Sequence, residues 1–302
     1  MNRRLFCKGF TLVELLVVIA IIGILSGVLI GAFGGSTESA RSAKCLANMR
    51  SLAVACQNYG MSSGHYPLAA SQEYSTLDES LGIRRVKEIF KEQNGWISWA
   101  SRGAYNGMVT SSAANKSWFK SAYVDDEDDA LHCLTNGAIW KAVAANASVY
   151  RCPAHVKAVK GTKVHWSYAM NAYFKGDVAM NCKTVDESER LGIRYTGLSR
   201  ADRRLLFAEL PFADGIDDTL EASDSVLQYK GLKGYSGSND KLCFNHKVGK
   251  KRCAHVVFAD GHVDRLTMPK SGSESDAEEL LQWLCEGKDV SFDGTRYDKM
   301  TD

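Results

Sequence analysis

The sequence predicts an α+β chain in which one long N-terminal helix lies against a head built on an antiparallel β-sheet. Three observations lead there. An apolar run fills residues 10–33 and passes into an amphipathic helical pattern over 34–60. Short segments rich in β-branched and aromatic residues recur at 164–170, 204–208 and 255–266. A capped helical pattern then follows at 276–286. The strands come late and together, without the regular alternation with helices that a parallel sheet requires.

Taken in order, the chain opens with Arg3, Arg4 and Lys8, then Gly9. Residues 10–33 read FTLVELLVVIAIIGILSGVLIGAF, with Glu14 as the one ionisable side chain. About 20 apolar residues in helical rise cross a bilayer core, so the run is long enough to do so. The positive-inside rule places its basic end in the cytoplasm and the rest of the chain across the membrane. A secretory signal would have a shorter apolar core followed by a small-residue cleavage site. Here the run closes on Gly-Ala-Phe-Gly-Gly, residues 31–35, which does not make an A-x-A site. A plain anchor leaves Glu14 unexplained, because a carboxylate at membrane depth costs roughly 2.5–3.5 kcal/mol.

The helix is expected to continue past the membrane. Ala43, Leu46, Met49, Ala53 and Cys56 recur at steps of three and four, a stripe suited to one face of a head, and Gly60 is the expected stop. Such a helix from residue 10 to 59 would be about 75 Å long. Cys45 and Cys56 share its face but stand about 16 Å apart, too far to bridge each other. Residues 61–302 form the head. Helical patterns are read at 137–146 and 276–286; for the second, Ser275 with Glu278 forms the capping box and Gly287 the stop. Asp260-Gly261 between two apolar runs predicts a two-residue hairpin turn.

The hexapeptide Gly9-Phe10-Thr11-Leu12-Val13-Glu14 resembles the processing site of type IV prepilins and type II secretion pseudopilins. The resemblance implies a pilin-like fold, a leader over residues 1–9, and cleavage between Gly9 and Phe10 by a prepilin peptidase that also N-methylates Phe10. It implies a single-pass bacterial inner-membrane protein, N-terminus cytoplasmic, with its head periplasmic or exposed on a filament. It also implies assembly with other pilin-like subunits through the N-terminal helix, where Glu14 meets a neighbour's α-amino group. Cation and carboxylate would then relieve each other's desolvation, and misaligned subunits would leave both unpaired.

His246 followed by KVGKKRCAHVVFADGHV resembles the C-terminal signature of large pseudopilin-like proteins, a His, nine residues, then Asp-Gly. Thirteen residues intervene here, which predicts an enlarged loop at 247–252. Residues 150–153 (Tyr-Arg-Cys-Pro) and 167–171 (Ser-Tyr-Ala-Met-Asn) share that likeness.

Composition and motifs exclude several classes. With 37 basic and 35 acidic residues the net charge is +2, which gives no long-range pull toward nucleic acid. The chain has no C-x-x-C, G-x-S-x-G, P-loop or G-x-G-x-x-G pattern, so a structural role and no enzyme activity or cofactor is expected. The other class to weigh is a membrane-tethered periplasmic enzyme or glycan-binding module on a pilin-type anchor, and Trp96 and Trp99 are candidates for its surface. His246, His255, Asp260 and His262, with Asp264, are the candidate metal ligands, set against a plain hairpin in which Asp260 serves the turn. The acidic run at 125–129 and the group Asp214, Asp217 and Asp218 read as solvated loops, with Ca²⁺ as the alternative. Of nine cysteines Cys7 leaves with the leader, and the remaining even number suggests disulfides in an oxidising compartment. Cys243 and Cys253, flanking the basic loop, are the expected bridge.

The leader reading makes a direct prediction. Mass spectrometry of protein extracted from membranes should find a mature chain that starts at Phe10 and carries one added methyl group. A chain that starts beyond residue 33, or keeps Met1 in cells containing the peptidase, would contradict it.

Overall fold

The computed structural model describes residues 11–69, 95–97, 131, 134–158, 164–174, 192–211, 225–229 and 240–300, with the side chains of 27–36 outside that description. Helix α1 (Leu12–Ser63) comes first. It starts at Thr11, whose Oγ1 accepts from the Glu14 amide at 3.3 Å, while Glu14 Oε2 accepts from the Thr11 amide at 2.8 Å. These reciprocal bonds satisfy donors that every helix start leaves open. The helix ends at Gly64, which takes φ +81° and donates its amide to Gly60 O at 2.9 Å. It therefore runs through the stop expected at Gly60. A Cβ there would lie 2.5 Å from the Tyr195 ring, so Gly60 serves close packing and Gly64 does the stopping. With 52 residues α1 is about 78 Å long.

From Leu12 to Leu25 the large apolar side chains of α1 are 44–80% exposed. Among the described residues no helix is long and apolar enough to cross a membrane. The apolar run of the sequence continues to Phe33, and residues 27–33 fall outside the described side chains. Further along, Ser42, Cys45, Asn48, Met49, Leu52, Ala53 and Cys56 are buried at helical spacing. The expected stripe is right at Met49, Ala53 and Cys56, but Ala43 is exposed and Leu46 only half-buried. The covered face is rotated toward polar Ser42 and Asn48 because the head supplies hydrogen bonds there. Asn48 Nδ2 donates to Arg151 O at 2.9 Å and Ser148 O at 3.3 Å.

The main sheet contains β1 (Tyr168–Asn171), β2 (Leu205–Glu209), β3 (Val226–Leu227), β4 (His246–Val248), β5 (Lys251–Phe258) and β6 (Val263–Thr267), in the order β3-β1-β2-β5-β4 with β6 also on β5. The sheet is mixed and not purely antiparallel, since β3 pairs parallel to β1. Strand β2 reverses the chain, and β3 reverses it again before docking beside β1. Strands β2 and β4 both pair with the edge of β5 opposite β6, β4 through residues 251–253 and β2 through 256–258. They thus lie end to end along that edge, with a break between them.

The expected loop at 247–252 is itself a hairpin. His246 faces Cys253, Lys247 faces Arg252, and Val248 faces Lys251, with the turn made at Gly249 (φ +62°) and Lys250. The β5–β6 connection spans residues 259–262, wider than a two-residue turn, because Asp260 Oδ1 accepts from the His262 amide at 3.0 Å. Its Ala259 carbonyl accepts from Gln57 Nε2 at 2.9 Å and Tyr66 Oη at 3.3 Å, which ties the turn to the far end of α1.

Two helix expectations are corrected. Residues 137–146 form turns, with positive φ at Ala144 and Ala145, followed by a 3₁₀ turn at Ala147–Tyr150. Packing overrides the helical pattern here, since Gly137 lies against the Trp96 carbonyl. Helix α2 (Pro153–Ala158) is short. Helix α3 (Glu274–Glu286) begins two residues early, capped by Ser273 Oγ on the Asp276 amide at 3.1 Å instead of by Ser275, and ends at Gly287 as expected. A small hairpin, β7 (Val290–Phe292) and β8 (Tyr297–Lys299), follows.

Side chains alternate across the sheet. Tyr168 Oη reaches Cys45 Sγ of α1 at 3.4 Å, while Asn171 on the other face donates to Cys285 O of α3 at 3.1 Å. Trp96 is fully buried against Tyr150 and Phe207, with Nε1 donating to Ser225 O at 3.0 Å. It is a core residue, not part of a binding surface, and Trp99 lies outside the described residues.

A Cβ on Gly137 would sit 2.3 Å from the Trp96 carbonyl oxygen, a backbone atom that cannot swing aside. Gly137→Ala should therefore cost about 1–3 kcal/mol in denaturant unfolding of the detergent-solubilised chain. Gly23→Ala, where nothing lies within 4 Å, should leave the head transition unchanged.

Candidate functional site

The break between β2 and β4 holds a buried polar cluster. Glu209 is the last residue of β2, His246 the first of β4, and His255 lies in β5 between their positions. Cys45 of α1 comes down onto them. The candidate ligand atoms of Cys45, Glu209, His246 and His255 lie within 4.8 Å of one another, and all four residues are buried. They combine a thiol, two imidazoles and a carboxylate, a donor set that suits a borderline-soft divalent metal such as zinc.

Glu209 is the hub. Its Oε1 lies 2.7 Å from His246 Nε2, accepts from Cys45 Sγ at 2.8 Å, and stands 3.6 Å from His255 Nδ1. Its Oε2 accepts from the His255 amide at 3.4 Å. A second layer surrounds these groups. Ser42 Oγ bonds His255 Nε2 at 2.9 Å, Glu38 Oε1 lies 3.7 Å from His246 Nδ1, and Cys152 Sγ lies 3.5 Å from His246 Nε2. The two imidazoles stack with centroids 3.9 Å apart.

Burial alone would neutralise the Glu209 carboxylate, but the bonds and charges of His246 and His255 outweigh it and hold the group well below the usual carboxylate range. Burial likewise disfavours the His246 cation, yet its bonds to Cys152 and Glu209 raise it to about 10. A carboxylate–imidazolium pair thus lies sealed beneath α1. The Cys45 thiol is pushed well up by burial, by its bond with Cys152 and by the Glu209 charge. Alongside, His155 is driven down to about 4 by burial. Its Nδ1 meets Ser167 Oγ at 3.0 Å, and that oxygen already accepts from the Cys152 amide at 2.9 Å.

Of the four metal candidates read from sequence, the structure brings His246 and His255 together and sets Asp260 and His262 apart. The latter pair, 2.6 Å between Oδ1 and Nδ1, sits exposed on the β5–β6 turn, with His262 stacked on Phe258. Turn geometry accounts for it: Gly261 takes φ +89°, and Asp260 accepts from the His262 amide two residues on. Cys45 and Glu209 escaped the sequence reading, although a lone carboxylate closing the apolar segment LLFAE was a usable signal. Cys243 and Cys253 are free thiols here. The register sets Cys253 opposite His246, while Cys243 precedes the ladder and donates to Lys241 O at 3.4 Å. Gly9, Phe10, the acidic run at 125–129, Asp214, Asp217 and Asp218 lie outside the described residues.

Comparison with known proteins gives two family matches. Residues 4–30 match the prokaryotic N-terminal methylation motif, and residues 37–202, more than half of the chain, match "Protein of unknown function (DUF1559)". Among curated proteins, the type IV major pilin protein PilE of Neisseria gonorrhoeae is 32% identical over 91 residues, covering 30% of this chain and 54% of that protein. The chain thus spans about half the length of the curated relative it matches. No solved structure matches.

His155 generates a pH prediction. Its folded value lies below its ordinary one, so the unfolded chain binds the extra proton, and stability falls as pH drops from about 6.5 toward 4. His155→Gln keeps a hydrogen-bonding group without that titration, and it should flatten this limb in unfolding measured across the window. An unchanged slope would show that other groups carry it.

Proposed function

This chain belongs to the DUF1559 family of proteins of unknown function and has a prepilin-type N-terminus, and on that premise we propose that it is a structural subunit of a pseudopilus or pilus-like filament. The supporting observation is the first part of α1. It projects a helix whose apolar side chains are exposed all round, and at its tip Glu14 is already hydrogen-bonded to Thr11. Exposed apolar surface on that scale calls for lipid or for equivalent helices. The whole apolar run 10–33 anchors the subunit in the inner membrane before assembly, with the head on the periplasmic side. A prepilin peptidase cuts after Gly9 and methylates Phe10, and neighbouring subunits pack through their N-terminal helices. The head acts as a structural and contact element and not as an enzyme.

The capping box adds a role for Glu14 in the lone subunit. Thr11 holds the carboxylate at the helix start, which offsets part of its desolvation until a neighbour's α-amino group replaces that partner. Glutamine can make the same cap without the charge, so Glu14→Gln separates capping from pairing. Both Glu14→Gln and Glu14→Ala should insert normally. A soluble fragment beginning near Ser36 does not include Glu14, so the head's own stability should be unaffected by either change. Crosslinked multimers should fall at least about tenfold in both variants, equivalent to losing some 1.4 kcal/mol per contact. If Glu14→Gln assembles as well as the parent chain, charge pairing is not what aligns the subunits.

A further inference from the structure

We propose that Cys45, Glu209, His246 and His255 form a structural Zn²⁺ site that clamps the long N-terminal helix to the sheet. Each ligand comes from a different element, α1, β2, β4 and β5, and all of them converge where the edge of β5 changes partner. The donor set of one sulfur, two imidazole nitrogens and one carboxylate oxygen matches tetrahedral zinc, whereas calcium and magnesium take oxygen throughout.

A second observation points to a ligand. His255 is fully buried, and its Nδ1 makes no hydrogen bond among the described residues, although Nε2 is held by Ser42. A buried imidazole nitrogen without a partner is costly, and here it points at Glu209 from 3.6 Å. That separation is too long for a hydrogen bond. It agrees with two nitrogen or oxygen ligands on one tetrahedral zinc, which stand about 3.4 Å apart. The bonds from His246 and Cys45 to Glu209 Oε1, 2.7 and 2.8 Å, are the protonated equivalents of the remaining ligand contacts. Zinc replaces those protons, and the Glu209 oxygen moves back by about 0.7 Å to give it room.

The outer contacts fit the same assignment. Ser42 fixes His255 through Nε2, Glu38 stands by His246 Nδ1, and Tyr168 Oη donates to Cys45 Sγ, as partners of metal ligands do. Four protein ligands and full burial make the site closed and therefore structural, with no position for substrate. The competing chemistry is a Cys45–Cys152 disulfide, because both sulfurs border the Glu209–His246 pair, Cys45 Sγ at 2.8 Å from Glu209 Oε1 and Cys152 Sγ at 3.5 Å from His246 Nε2, and oxidation would remove the thiolate ligand. This inference does not depend on filament assembly.

The test uses the full chain, solubilised in detergent, reduced, loaded with Zn²⁺ and dialysed. Elemental analysis should give about one zinc per chain, and X-ray absorption should show one sulfur near 2.3 Å with nitrogen and oxygen near 2.0–2.1 Å. Co²⁺ loading should give tetrahedral d–d bands and a sulfur-to-cobalt band, the latter lost in Cys45→Ser. His255→Gln should lower zinc at least about tenfold. His262→Gln and Cys243→Ser, outside the cluster, should retain it. Zinc below about a tenth per chain in the reduced wild type overturns the proposal without relying on any variant's folding. So does an unchanged content in both ligand variants, or peptide mapping that finds Cys45 joined to Cys152 in protein taken from cells.

Discussion

Glu209 carries its carboxyl group buried away from solvent, and the head is arranged around that constraint. It ends a strand whose other residues are buried and apolar, and α1 closes over it. A carboxylate in such a place must be met by cations, hydrogen-bond donors or a metal. The sheet supplies His246 and His255 by interrupting one edge of β5, and the helix supplies Cys45. This centre and the Asn48 bonds to Ser148 and Arg151 together fix the polar part of the α1 face that turns inward.

The same constraint gives physical content to the segment from His246 to Asp260-Gly261. Its first residue lies in the buried centre. Its Asp-Gly end forms the turn whose Ala259 carbonyl is gripped by Gln57 in the last turns of the helix and by Tyr66 just beyond it. The strand between them spans the contact with α1, so both ends of the segment fasten the helix to the sheet. The extra residues at 247–252 extend the β4–β5 hairpin outward without disturbing either attachment.

What was legible in the sequence was local. The helical stripe through Met49, Ala53 and Cys56, the chain reversal at Asp260-Gly261, the stop of α3 at Gly287 and parts of β1, β2, β5 and β6 follow from residue types at short spacing. The misses came from long-range packing. Nothing near Cys45 marks it as a neighbour of Glu209, 164 residues away. Strand β3 has two residues, too few for any pattern, so the parallel edge could not be foreseen. The apolar residues at 137–146 have helical spacing, yet the Trp96 carbonyl beside Gly137 leaves them in turns. Gly60 read as a stop because a glycine in a helix usually weakens it; the need for a bare Cα beside Tyr195 was invisible.

Helix α1 is unbroken from its exposed apolar end to the core of the head, and this has a consequence for modularity. Anchor and head share one helix, so there is no linker at which one could be exchanged for another without attention to phase. Each residue inserted or deleted between Leu25 and Glu38 would rotate the head about 100° around the helix axis and shift it about 1.5 Å along it. The length of that plain stretch, as much as its composition, therefore sets which side of the head faces outward.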